Sequence, residues 1–142
     1  MTQERLLAFQ SLRPEEAEVL AAVIRRIVPH RQPALQEVAW LTALAVDAQA
    51  VSDLGLRALL RDGVRDLDRR SRDRWGKGFA ALGPAEQDGL LREVEDTPFF
   101  QRLINLTVTD FYNRRVVWET IGYPGLHADG GYRDKGFDRL EW

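Results

Sequence analysis

Apolar residues in this chain recur at steps of three and four almost from end to end, and no stretch alternates apolar with polar residues convincingly. Steps of three and four return to one face of an α-helix, so the sequence predicts an all-α domain without a sheet. Ala17, Leu20, Ala21, Ile24, Ile27 and Val28 form the first stripe. Pro14, Glu15 and Glu16 suit its opening turn, because proline needs no N–H there and acids complement the positive helix end. Pro29 stops it. A second helix is expected from Ala34 to about Ala50, burying Val38, Leu41, Leu44 and Ala45. Ser52 is expected to cap a third, with Leu56, Leu59, Leu60, Val64 and Leu67 inward. Its other face carries Arg57, Arg61, Asp62, Arg65 and Asp66 at ion-pairing spacing. Trp75-Gly76-Lys77-Gly78-Phe79 leads to a short apolar turn near Leu82, and Gly83-Pro84-Ala85-Glu86 opens a compact helix burying Leu90, Leu91 and Val94. Thr97-Pro98 is a cap followed by a first turn. The last long helix then presents Phe100, Leu103, Ile104, Thr107 and Phe111 on one stripe. The expectation is a small bundle of about five to six helices, with residues 1–117 as the helical domain and 118–142 as a tail.

The chain's 142 residues suit one domain, and folding at this size buries roughly 68–70% of the surface an unfolded chain exposes. No disulfide staple is needed, and with no cysteine none can form, nor can a thiolate metal site, an iron–sulfur cluster, covalent haem attachment or a cysteine nucleophile. Net charge is −2, and the arginines are interleaved with acids, a poor fit to nucleic acid. Eighteen arginines stand against Lys77 and Lys135 alone. Arg forks suit interfaces, although codon usage in a GC-rich genome gives the same skew. Met1 to Leu7 lack the basic and apolar regions of a secretory signal. No run approaches the ~18 apolar residues of a membrane span. The expected compartment is the cytoplasm, or the periplasm if a leader was trimmed or a partner exports the chain.

No catalytic, cofactor-binding or metal-binding constellation is expected in this chain. His30 and His127 stand far apart without a second ligand at metal spacing, so each is expected to be structural or solvated. Gly76-Lys77-Gly78 lacks the spacing and the preceding strand of a phosphate loop; its glycines are expected to let the helix turn closely against Trp75. Asp66, Asp68 and Asp73 belong to a solvated ion-pair face. The tail holds Trp118, Tyr123, Tyr132, Phe137 and Trp142 among Gly122, Gly125, Gly130, Gly131 and Gly136. Disordered segments are poor in aromatics, so an ordered, adhesive tail is expected, packing on its own domain or on another chain. Trp, Tyr and Arg dominate interface hot spots. The candidate partner-binding residues are therefore Trp118, Tyr123, Tyr132, Phe137 and Trp142, with Arg114 and Arg115 as charged contacts.

The run Thr97-Pro98-Phe99-Phe100, then Leu103, Thr107, Asp110-Phe111-Tyr112 and Ile121-Gly122-Tyr123-Pro124-Gly125, resembles the gluconate 2-dehydrogenase subunit 3 family. Leu20 to Pro29, Arg57 to Leu67, and Phe79-Ala80-Ala81-Leu82 with Gln87 and Leu90-Leu91 resemble its earlier segments, so the likeness covers nearly the whole chain. The resemblance implies a non-catalytic small subunit beside a larger FAD-carrying dehydrogenase of the glucose–methanol–choline type. Such complexes oxidise gluconate, glucose or glycosides and pass electrons to a cytochrome c or another acceptor. Many members carry a twin-arginine export signal and escort their partner across the membrane. Thr2 to Arg13 departs from that pattern, and in this the chain is similar to small subunits of glycoside or glucoside 3-dehydrogenases that lack leaders, the version preferred here. A helical adaptor or chaperone unrelated to redox chemistry is the alternative that the helix pattern leaves open.

Overall fold

The structure, a computed structural model, describes residues 8–28 and 33–114. Among them are five α-helices, α1 (Pro14–Ile27), α2 (Pro33–Val51), α3 (Leu54–Trp75), α4 (Pro84–Glu93) and α5 (Pro98–Tyr112), with a 3₁₀ turn at Phe79–Ala81 and no strand. The all-α bundle expected from the sequence is what the chain forms.

The helix at the centre is α1, which packs against every other helix and the 3₁₀ turn. Its sequence explains why. Beyond the stripe of Ala17, Leu20, Ala21, Ile24 and Ile27, the remaining sides carry Val19, Ala22 and Val23, and all of these are buried. Only a narrow stripe with Glu15, Glu18 and Arg25 stays exposed; a helix with so wide an apolar face buries most of its circumference and is drawn to the middle of a bundle. The ends are set locally. Pro14 occupies the first turn, the Glu16 carboxylate accepts the Arg13 N–H at 2.9 Å, and α1 ends as the chain approaches Pro29.

Two boundaries and one stripe differ from expectation. Asp53, not Ser52, caps α3, its Oδ1 accepting the Leu56 N–H at 3.0 Å; a carboxylate is an equally good cap, and here it stands one residue nearer the first turn. On α2 only Val38 of the expected inward residues is buried. Leu41 is 39% exposed, and Leu44 and Ala45 are half-buried. The inward face is instead Leu35, Val38, Ala39, Trp40, Thr42, Ala43, Val46, Asp47 and Ala50. This helix is apolar on nearly its whole circumference, so the pattern alone could not phase it, and two buried polar groups with tertiary partners set its rotation.

The end of α3 is a left-handed cap. Gly76 has φ +74° and donates its N–H to the Arg72 carbonyl at 2.9 Å, a conformation cheap only for glycine. The chain then folds back on α3 rather than over Trp75, which is 39% exposed. Ser71 Oγ donates to the Lys77 carbonyl at 2.6 Å, and the Phe79 N–H to Asp68 Oδ1 at 3.0 Å. Gly78 allows this, since a Cβ there would stand 2.8 Å from Asp68 Oδ1. Phe79 is thereby delivered to the core, fully buried.

Candidate functional site

Several ionisable side chains on the described surface hold helices together, and others pair within a single helix. The arginine face of α3 makes ion pairs within its own helix, but between Arg69 or Arg70 and Asp66 and between Arg72 and Asp68, one turn beyond the set expected at Arg57 to Asp66. It also reaches further than spacing alone indicated. Arg70 and Arg74 bind Glu93 of α4 at 3.1 and 2.5 Å. Arg65 binds Glu16 of α1 at 2.6 Å, with Arg61 at 3.3 Å. Arg26 of α1 grips Asp88 of α4 through both branches of its guanidinium, at 2.8 and 2.9 Å. A groove of about 380 Å³ between the start of α1 and α3 is lined by Arg13, Arg65, Arg69 and Arg72 and by Glu15, Glu16, Asp68 and Asp73. Three of those four cations already face carboxylates, so the groove is an ion-pair lattice and not an anion site.

Glu16 is the buried member of this lattice, 4% exposed. Burial pushes its pKa up, but the Arg13 N–H, the hydrogen bond from Arg65 and the charges of Arg61 and Arg65 together outweigh it, holding the carboxyl below its ordinary range. A carboxyl with a depressed folded-state pKa contributes stability above its unfolded pKa, and the contribution is lost as pH falls through the folded value. Glu16→Gln is therefore expected to cost about 1 kcal/mol at neutral pH. It should cost almost nothing in acid below the folded pKa. Urea midpoints at the two pH values check this, and a loss equal at both would remove the charge from the account.

The C-terminal end of α5 leans on α2. Thr42 Oγ1, fully buried, donates to Asp110 Oδ2 at 2.8 Å, and the Arg114 Nε donates to the same oxygen at 3.0 Å. At the other end of α5, Arg102 faces Asp53 at 3.7 Å. Asp53 follows the end of α2, so the two helices run antiparallel, and the chain leaves α5 beside the first half of α2.

Of the expected partner contacts, Arg114 is the described one: it is partly exposed and rests on Asp110. Arg115, Trp118, Tyr123, Tyr132, Phe137 and Trp142 lie outside the described residues, as do His30 and His127. Among the described residues no three His, Cys, Asp or Glu side chains are grouped to hold a metal ion. No described helix is long and apolar enough to cross a membrane. Sequence reasoning missed the outward face of α2. Leu41, Ala48 and Val51 follow helical spacing on the side away from the core, with Leu41 and Val51 39% and 41% exposed, while Leu44 and Ala45 beside them are half-buried and Leu44 packs against the core. Between Glu37 and Asp53 the helix has one ionisable residue, Asp47, and that is buried. A missing charge on one side of a surface helix was the available signal.

The described residues thus define a five-helix domain whose polar groups brace its own helices and whose second helix shows an uncharged apolar flank. The chain belongs to the gluconate 2-dehydrogenase subunit 3 family, whose model matches residues 14–125. That name marks its members as subunits of a dehydrogenase complex. No curated protein and no solved structure matches the chain.

Proposed function

We propose that this chain is the non-catalytic small subunit that binds and stabilises a larger FAD-dependent dehydrogenase of the glucose–methanol–choline type. The family match over residues 14–125 carries the reading. The fold is compatible with it: a helical domain cross-braced by Arg26–Asp88, Arg65–Glu16 and Arg74–Glu93 is a rigid platform, and rigidity lowers the ordering cost of association. In this assembly the flavin of the larger chain supplies the two-electron chemistry on gluconate, glucose or a glycoside. Electrons leave through that chain to a cytochrome c or another acceptor. The small subunit presents contact residues and shields apolar surface on its partner. Of the seven candidate contacts we assign Arg114, Arg115, Tyr132, Phe137 and Trp142 to the partner, because large amphipathic side chains and Arg dominate interface affinity; Trp118 and Tyr123 are the two whose role is taken up below.

The test is co-purification. The tagged chain, isolated from its native host, should bring down a larger polypeptide in a yellow eluate with flavin absorption and dye-reducing activity toward a sugar. Tyr132→Ala with Trp142→Ala should lower the recovered flavoprotein by roughly tenfold or more, while helical circular dichroism is retained. A colourless, lone and folded chain would point instead to an adaptor outside redox chemistry.

A further inference from the structure

The outward flank of α2 is where the fold is unfinished. Leu41, Ala48 and Val51 are exposed along it, with Leu44 and Ala45 half-buried at its edges, and Leu54, 70% exposed, extends it past the helix end. Contiguous exposed apolar surface without an intervening charge is uncommon on a finished monomer and marks a covered face. We infer that the cover is the chain's own segment 115–125, folded back from the end of α5 along the flank of α2.

Three observations select this occupant. The first is where the described chain leaves off. Asp110 accepts from both Thr42 and Arg114, and Leu41 and Ala45 stand one residue before and about one turn after Thr42, so the described chain ends close to the stripe. The second is reach. Leu41 and Val51 are about 15 Å apart along a helix, and eleven extended residues span up to roughly 36 Å. The third is composition within the family unit. The match to the family continues past α5 to residue 125. The stretch it adds holds Val116, Val117, Trp118, Ile121 and Tyr123 against two charges, Arg115 and Glu119. An apolar segment and an uncharged apolar flank of the same family domain, joined at one point, satisfy each other. This concerns the chain's own fold and goes beyond its role as a subunit, so it stands or falls separately from the identity of the partner.

The chain has no cysteine, which makes thiol protection a clean readout. Single variants Leu41→Cys and Ala48→Cys, in the full chain, would be timed for modification by a small maleimide against Asp62→Cys, an exposed position on α3. The thiols at 41 and 48 should react at least tenfold more slowly than the one at 62. Adding Trp118→Ser, Ile121→Ser and Tyr123→Ser should bring them to within about twofold of it. As a second measurement, Leu41→Cys with Trp118→Cys should be joined within one chain by a short bis-maleimide. Unprotected thiols at 41 and 48 in the isolated chain would overturn the inference. Protection that appears only when the co-purifying larger chain is present would assign the flank to that partner, and protection or cross-linking that grows with protein concentration would assign it to a second copy.

Discussion

Asp47→Asn is expected to lower the unfolding free energy by about 3 kcal/mol, the largest single loss foreseen among polar substitutions in this domain. Asp47 lies in the middle of α2, 1% exposed, and its carboxylate accepts three consecutive backbone N–H groups, from Gln10 at 2.7 Å and from Ser11 and Leu12 at 2.9 and 3.1 Å. The Ser11 hydroxyl adds a bond to the Asp47 carbonyl at 3.0 Å. The buried carboxylate thus receives the segment that leads into α1, as an N-cap side chain would, and holds Phe9 edge-on against Trp40 with ring centres 5.2 Å apart. Asparagine is nearly the same size but has only one acceptor oxygen. Whichever way it turns, its amide nitrogen meets an N–H that already needs an acceptor, and a buried donor is left without one. Urea denaturation measures the loss, and hydrogen exchange at Gln10, Ser11 and Leu12 should accelerate with it. A change below about 1 kcal/mol, with those amides still protected, would show that other contacts hold the segment.

Gly63→Ala should also destabilise, by about 2 kcal/mol, although alanine is the better helix former by about 1 kcal/mol in isolation. Gly63 sits inside α3, where a Cβ would fall 2.2 Å from the ring of Phe99, the second residue of α5. Phe99 is 5% exposed and held between helices, so its ring can yield only by moving the first turn of α5. At roughly 2–4 °C per kcal/mol, the melting temperature should fall by several degrees. The diagnostic is the second background: with Phe99→Ala in place the obstruction is gone, and Gly63→Ala should become neutral or mildly stabilising. Sites in contact couple in this way. Additive losses in the double variant would place the cost in α3 itself.

Both residues show where sequence reading stops. Gly63 looks like a weak point in an amphipathic helix, and nothing local says that an aromatic ring thirty-six positions later fills the space above it. Asp47 looks like one polar residue on a surface face. Its partners are the N–H groups of Gln10, Ser11 and Leu12, which every residue but proline carries, so no side-chain pattern could announce them. The arginine face of α3 was legible as an ion-pair face, but its intrahelical pairs form at Asp66 and Asp68 with Arg69, Arg70 and Arg72, while Arg61 and Arg65 turn to another helix. Its bonds to Glu16 and Glu93, which lie on other helices, were not legible.

The sequence by itself determined the helical class, the helix starts at Pro14, Pro84 and Pro98, the turn at Gly76 to Phe79, the inward stripes of α1, α3, α4 and α5, and the family. All but the family, which is read from motifs spread along the chain, rest on an interaction between residues within a few positions of one another: a cap, a fixed proline φ, a glycine in the left-handed region, or a period that returns to one face. Tertiary structure alone decided the rotation of α2, because a helix apolar on all sides gains similar burial in several orientations. Thr42 meeting Asp110 and Asp47 meeting the segment from Gln10 to Leu12 choose among them. That choice turns Leu41, Ala45 and Ala48 outward, and so it is packing between helices, not local pattern, that creates the flank.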